Sequence, residues 1–156
     1  MTARSRAAGV PLAVMALLTV VGAGCSSTPA LPVAQVSIGP VPIQFRVEVA
    51  STAEQRRTGL QGRDQLPAGT GMWFQFDVRG PQQVWMADTT VPLDVAWVSA
   101  GKVVAVDTLT PCVETDKAQC PRWTSPSDVD ALLEVPSQAL REVIPGMPVT
   151  IEAQPR

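Results

Sequence analysis

LDVAWVSAGKVVAVDTL, residues 93–109, holds two runs rich in β-branched residues on either side of Ser99-Ala100-Gly101-Lys102. A turn this tight needs positive φ, and Gly101 is placed to supply it, so the stretch reads as a β-hairpin. Upstream, IQFRVEV (43–49) alternates Ile43, Phe45, Val47 and Val49 with Gln44, Arg46 and Glu48, as a strand with one buried and one wet face does. MWFQF (72–76), QVWMA (83–87), LLEV (132–135) and VTIEA (149–153) read as further strands. Ser51 and Glu54 form a capping box that starts a short helix running to Thr58, with Gly59 at its C-terminal turn. PSQALREV (136–143) reads as a second short helix with Pro136 in its first turn, and Ser127 offers another N-cap. The expectation is a mainly β (α+β) domain, a small barrel or sandwich of six to seven strands with two short helices.

The 156 residues suit one domain, and a net charge of -2 with no basic stripe argues against a nucleic-acid partner. The chain has no histidine. That removes the commonest general base and metal ligand, and with them any Ser-His or Cys-His catalytic pair. Chemistry here would rest on carboxylates, Arg, Lys, Ser/Thr or Cys, and no metal or cofactor is expected.

The N-terminus has the layout of an export signal: Arg4 and Arg6, an apolar run from Val10 to Val21, then Gly22, Ala23, Gly24 and Cys25. The end of that run resembles a bacterial lipobox, although Gly22 stands where Leu is usual. Residues 1–24 then read as a lipoprotein signal peptide and Cys25 as the lipidated residue. The other reading is an ordinary signal that leaves Cys25 as a free thiol. SSTPALPVAQ suits a solvated tether over 25–35, with a single domain over 36–156. Losing Arg4 and Arg6 leaves 10 cations against 14 acids, a net charge of −4, so lipid rather than charge would hold the protein at a membrane's outer face.

Cys112 and Cys120, bracketed by Pro111 and Pro121, read as a disulfide in an exported protein, with a metal or redox pair as the alternative. Trp73, Trp85 and Trp97 lie in expected strands and read as core. Trp123 follows the cysteine loop and reads either as a ligand platform or as a pin for that loop.

VWMADTTVPLDVAWV (84–98) carries Asp88, Thr89 and Asp94 between strand-like ends. If Leu93, Val95 and Trp97 face the core, Asp94 shares its own face with Ala96 and Val98 and needs a partner. Candidates are Arg56, Arg63 or the amides of the 88–91 turn. In one reading an Asp94–Arg63 pair clips the RRTGLQGR segment to the sheet while Asp88 caps the turn through Thr90 or Val91. In a second, Asp88, Thr89, Asp94 and an Arg line a cleft for a polar ligand. In a third, Asp88 and Asp94 are an acid/base pair of the glycoside-hydrolysis type. Glu134 is a third candidate acid.

RRTGLQGRDQLPAGTGMWFQF, VWMADTTVPLDVAWV, GKVVAV and LLEV together resemble domain-of-unknown-function family 192 of bacteria and archaea. The similarity runs over about residues 43 to 151 and is carried by Arg56, Gly59-Leu60, Arg63, Gly71-Met72, Phe74, Trp85-Met86, Thr89, Pro92-Leu93-Asp94 and Leu133-Glu134. Ala87-Asp88 departs from the family's Lys-Asn, and Met147 from its Asp. The resemblance implies a shared fold and brings no agreed activity. Two functions follow as expectations. One is a non-enzymatic envelope lipoprotein that binds a polar ligand, a polysaccharide or a protein partner. The other is a carboxylate-dependent hydrolase acting on an extracellular glycan.

Overall fold

The computed structural model describes residues 30–154; the expected export signal and the expected lipidation site, Cys25, lie outside them. Nine strands run through the described residues: β1 Val33–Ile38, β2 Ile43–Ala50, β3 Thr70–Gly80, β4 Gln83–Trp85, β5 Leu93–Ser99, β6 Lys102–Leu109, β7 Arg122–Thr124, β8 Val129–Pro136 and β9 Val149–Ala153. Seven form one sheet in the order β6-β5-β8-β3-β2-β1-β9, and β4 pairs separately with β7. All neighbours are antiparallel except β2 and β3, which run parallel through a crossover carrying the one α-helix, α1 (Ala53–Thr58). The sheet curls into a half-barrel. Its edges meet at one corner, where Val103 N–H donates to Met147 C=O (3.0 Å) and Val149 N–H to Gly101 C=O (2.8 Å).

The hairpin forms as the sequence implies. Ala100 (φ 48) and Gly101 (φ 70) are the two central turn residues, and Ser99 pairs with Lys102. Positive φ at both matches the twist of the flanking strands. The strained Ala100 is held by its N–H, which donates to Asp130 Oδ2 at 2.9 Å.

The expected pair of short helices is not borne out. Residues 136–143 form two successive tight turns, Ala139 N–H to Pro136 C=O and Val143 N–H to Leu140 C=O. In a helix, Leu140 N–H would reach back to Pro136 C=O; here it donates to the Asp94 carboxylate. Gln138, at φ 72, also departs from helical backbone. Ser127 caps nothing, because Val129 already belongs to β8. The true helix starts one residue later than the sequence suggests. Thr52 Oγ1 accepts from Gln55 N–H, and the Gln55 side chain accepts from Thr52 N–H. The only other helical element among the described residues is a 3-10 turn, Lys117–Gln119.

β1 begins at Val33, inside the stretch expected to be tether. Ala34, Val36 and Ile38 alternate inward and pair on one side with β2 and on the other with β9. The burial of those three residues holds the chain there against its proline-rich approach.

The sheet has a core on each face. Inside the curl, Val36, Ile38, Phe45, Val47, Trp73, Leu133 and Val135 pack with Leu140 and Val143 from the two tight turns. On the other face lie Met72, Phe74, Val95, Trp97 and Leu132, with Leu60 and Met86 over them from the connecting loops. Trp97 is fully buried, and its indole N–H donates to Asp107 Oδ2 at 2.6 Å. β3 and β8 approach closely at Gly71, where a methyl group would stand 2.3 Å from the Glu134 carbonyl oxygen. Glycine is the residue that permits this contact.

Candidate functional site

Strand periodicity places Leu132 and Glu134 of β8 on the face away from the curl. The cross-strand partners of Glu134 are Met72 in β3 and Val95 in β5, both fully buried. The Glu134 carboxyl is therefore set among apolar side chains, with the residue 7% exposed. No side-chain hydrogen bond or ion pair holds it among the described residues. Burial alone pushes its pKa up to about 8, so the group is neutral at pH 7 and has both a donor and an acceptor to offer.

Over Glu134 opens a cleft of about 310 Å³. Phe74 and Phe76 of β3 and Trp85 of β4 give it an aromatic wall, Leu60, Met86 and Leu93 an apolar lining, and Gln82, Gln83 and Thr89 polar groups. Three arginines line it. Arg56 is fixed: its Nη1 donates to Ser51 C=O at 2.6 Å and Gln75 C=O at 2.7 Å, and its guanidinium lies 5.4 Å from the Phe76 ring centre. It thereby straps α1 to β3. Arg122 of β7 lies over Trp85 at 4.3 Å, which orients the indole at the mouth. Arg57 is exposed and makes no ion pair among the described residues.

Asp94 is not at this cleft. It is 2% exposed, on the opposite face of the sheet, where Oδ1 accepts from Thr108 Oγ1 (2.8 Å) and Oδ2 from Leu140 N–H (3.0 Å). Neither Arg56 nor Arg63 reaches it, so the expected clip through an Asp94–Arg63 pair is replaced. Arg63 instead forms a two-pronged pair with Glu48 of β2, at 3.0 and 2.6 Å. The RRTGLQGR segment is fastened by that pair and by Gly62 N–H donating to Asp88 C=O at 2.9 Å. Alternation along β2 explains the choice: Glu48 is on the face that the loop crosses, and Asp94 is behind the sheet.

Asp88 has φ 57, and its carboxylate pairs with Lys117 of the cysteine loop rather than with Thr90 or Val91. Cys112 and Cys120 form a disulfide. Asp88, Thr89 and that loop line a neighbouring hollow of about 350 Å³, and Thr89 borders both spaces. Trp123 pairs with Val84 and packs half-buried on the outer core, and it is not among the residues lining the cleft. The aromatic at the cleft is Trp85, read from sequence as core.

The structure thus brings Arg56 and Thr89 to one cleft with Glu134. It separates them from Asp94 and Arg63 and leaves Asp88 next door. Sequence reasoning passed over Phe76, Arg57 and Arg122. The one available signal was Glu134, a lone acid inside the apolar run ALLEVP. Several residues that carry the family resemblance, among them Arg56, Leu60, Phe74, Trp85, Thr89 and Glu134, converge on this cleft.

No curated protein matches the chain. Several solved structures share its fold, among them two crystal structures. A proposed transcription regulator from Sinorhizobium meliloti 1021 has a TM-score of 0.71 at 24% identity, covering 80% of this chain and 97% of that one. A protein of unknown function from Novosphingobium aromaticivorans DSM 12444 has a TM-score of 0.67 at 23% identity, covering 80% of this chain and 94% of that one. At these identities the likeness shows the fold alone. The family described as DUF192, an uncharacterized ACR, matches residues 34–151, and the chain belongs to that family.

Proposed function

We propose that this domain is a ligand-binding module of the cell envelope, tethered to a membrane through lipid on Cys25, and that it binds a small polar ligand in the cleft over Glu134. One observation carries the reading: the carboxyl of a residue only 7% exposed, with no side-chain hydrogen bond or ion pair among the described residues, lines an open aromatic-walled cleft. A carboxyl set among apolar side chains at the wall of a cleft is free to hydrogen-bond a ligand that enters it. Aromatic walls with a few convergent polar groups are the usual make-up of a small-molecule site.

The geometry favours binding over glycan hydrolysis. Hydrolysis of the ordinary kind needs two carboxyl groups facing one bond. Among the described residues Glu134 is the only acid lining the cleft. Asp94 is behind the sheet and Asp88 opens into the adjoining hollow.

The test is calorimetry of residues 30–156 with a panel of envelope sugars and their soluble fragments, repeated on Phe76→Ala and Glu134→Gln. A ligand whose affinity falls in both variants supports the reading. Failure of the whole panel to bind, or binding indifferent to both substitutions, would overturn it. Measurable turnover of a bound glycan would favour the hydrolase instead.

A further inference from the structure

The cleft's charge is out of keeping with the rest of the domain. Apart from Arg4, Arg6 and Arg156, the chain's 12 Lys and Arg leave nine among the described residues, against 14 Asp and Glu. Three of those nine, Arg56, Arg57 and Arg122, stand at this one mouth. The acids near them are few. Glu54 lies in the first turn of α1, Asp77, largely exposed, lies 3.9 Å from Arg56, and Glu134 lines the cleft. From β5 the only acid is Asp94, which faces the other way, and β4 contributes none. Arg56 and Arg122 are already held in place, one on backbone carbonyls with an exposed ion pair to Asp77 and one on an indole face, so both are preorganised.

We infer that the cleft takes a hydroxylated ring that carries an oxyanion: the anionic end meets the guanidiniums of Arg57 and Arg122, the ring lies along Phe76 and Trp85, and a hydroxyl meets the carboxyl of Glu134. This rests on the binding reading above and deepens it. Guanidinium forks match the planar geometry of a carboxylate. Aromatic faces accept either a sugar ring or a benzene ring, so the same chemistry has two sources, an acidic sugar of an envelope polysaccharide or a free hydroxyaromatic acid. A neutral Glu134 adds no repulsion to the anion, whereas an ionised one would.

Calorimetry with glucuronate and 4-hydroxybenzoate, against glucose, 4-hydroxybenzyl alcohol and benzylamine, tests this. An anionic probe should bind at least about tenfold more tightly than its neutral counterpart, and Arg57→Ala should remove most of that difference. Arg57 is exposed on a helix, so the variant keeps its fold. Affinity for the anion should fall from pH 6 to pH 9 in the wild type and stay level in Glu134→Gln. The tighter of the two anions identifies the source. Equal binding of neutral probes, or a preference for benzylamine, would overturn the inference while leaving the cleft a binding site. If none of the five probes binds, the inference fails, and failure of the sugar panel as well removes the binding reading with it.

Discussion

Replacing Glu134 with Gln should make the protein more stable as pH rises, which few substitutions at a buried position do. The Glu134 carboxyl holds its proton up to about pH 8 in the folded protein, against an ordinary value of 4.5. At pH 4.5 and below, it is neutral folded and unfolded, and contributes no pH dependence. Between 4.5 and about 8 the unfolded chain has released the proton that the folded chain still holds. Stability therefore falls with rising pH, by about 1.4 kcal/mol per pH unit. Over the whole window this comes to roughly 5 kcal/mol, an upper bound because water entering the cleft would hydrate the carboxylate. Above pH 8 both states are ionised and the slope vanishes. Gln fills the same space and does not titrate. Urea denaturation of both proteins at half-unit steps from pH 4.5 to 9 isolates the effect, since other titrations cancel in the difference. The gain of Glu134→Gln over wild type should grow across the window and level off near pH 8. A difference that stays flat would refute the reasoning, because it would mean that Glu134 titrates as an exposed acid.

Asp94→Ala should lose about 3 kcal/mol or more in the same assay, since it strips Thr108 Oγ1 of its acceptor and leaves the Leu140 N–H unpaired in a buried site. Asp94→Asn should lose less, because the amide oxygen still accepts one of the two bonds. Gly71→Ala sets a methyl group 2.3 Å from the Glu134 carbonyl and 2.8 Å from Val135 Cγ1. The backbone of β8 has no room to yield, so a loss of about 2–3 kcal/mol is expected, and an unchanged melting midpoint would contradict the close approach of β3 and β8. Cys112→Ser with Cys120→Ser should cost roughly 2–3 kcal/mol by reopening a short loop, read as the stability difference from the oxidised wild type. Cys25→Ser should move the protein from the membrane fraction to the soluble one, and retention at the membrane would sink the lipid anchor.

Much of this fold is local and was legible. The 93–109 hairpin, the alternation in 43–49 and the final strand follow from periodicity and turn chemistry that neighbouring residues decide among themselves. Sequence alone also fixed the absence of His, and so the kinds of chemistry open to the chain. What it could not settle was which strands become neighbours and which face each polar side chain meets. β1 was hidden because Pro29 and Pro32 suggest a tether, and only pairing with β2 and β9 makes Val33–Ile38 a strand. The helix expected at 136–143 is undone by one non-local hydrogen bond, from Leu140 to Asp94, 46 residues away. The same long-range geometry sorted the acids. Asp94 and Glu134 are each a carboxyl flanked by apolar residues in a strand, and in sequence they look alike. Strand order gives Asp94 two donors on one face and, among the described residues, gives Glu134 none on the other. A carboxyl's role depends on what lies within about 3 Å of it, and that is set by the packing of distant segments.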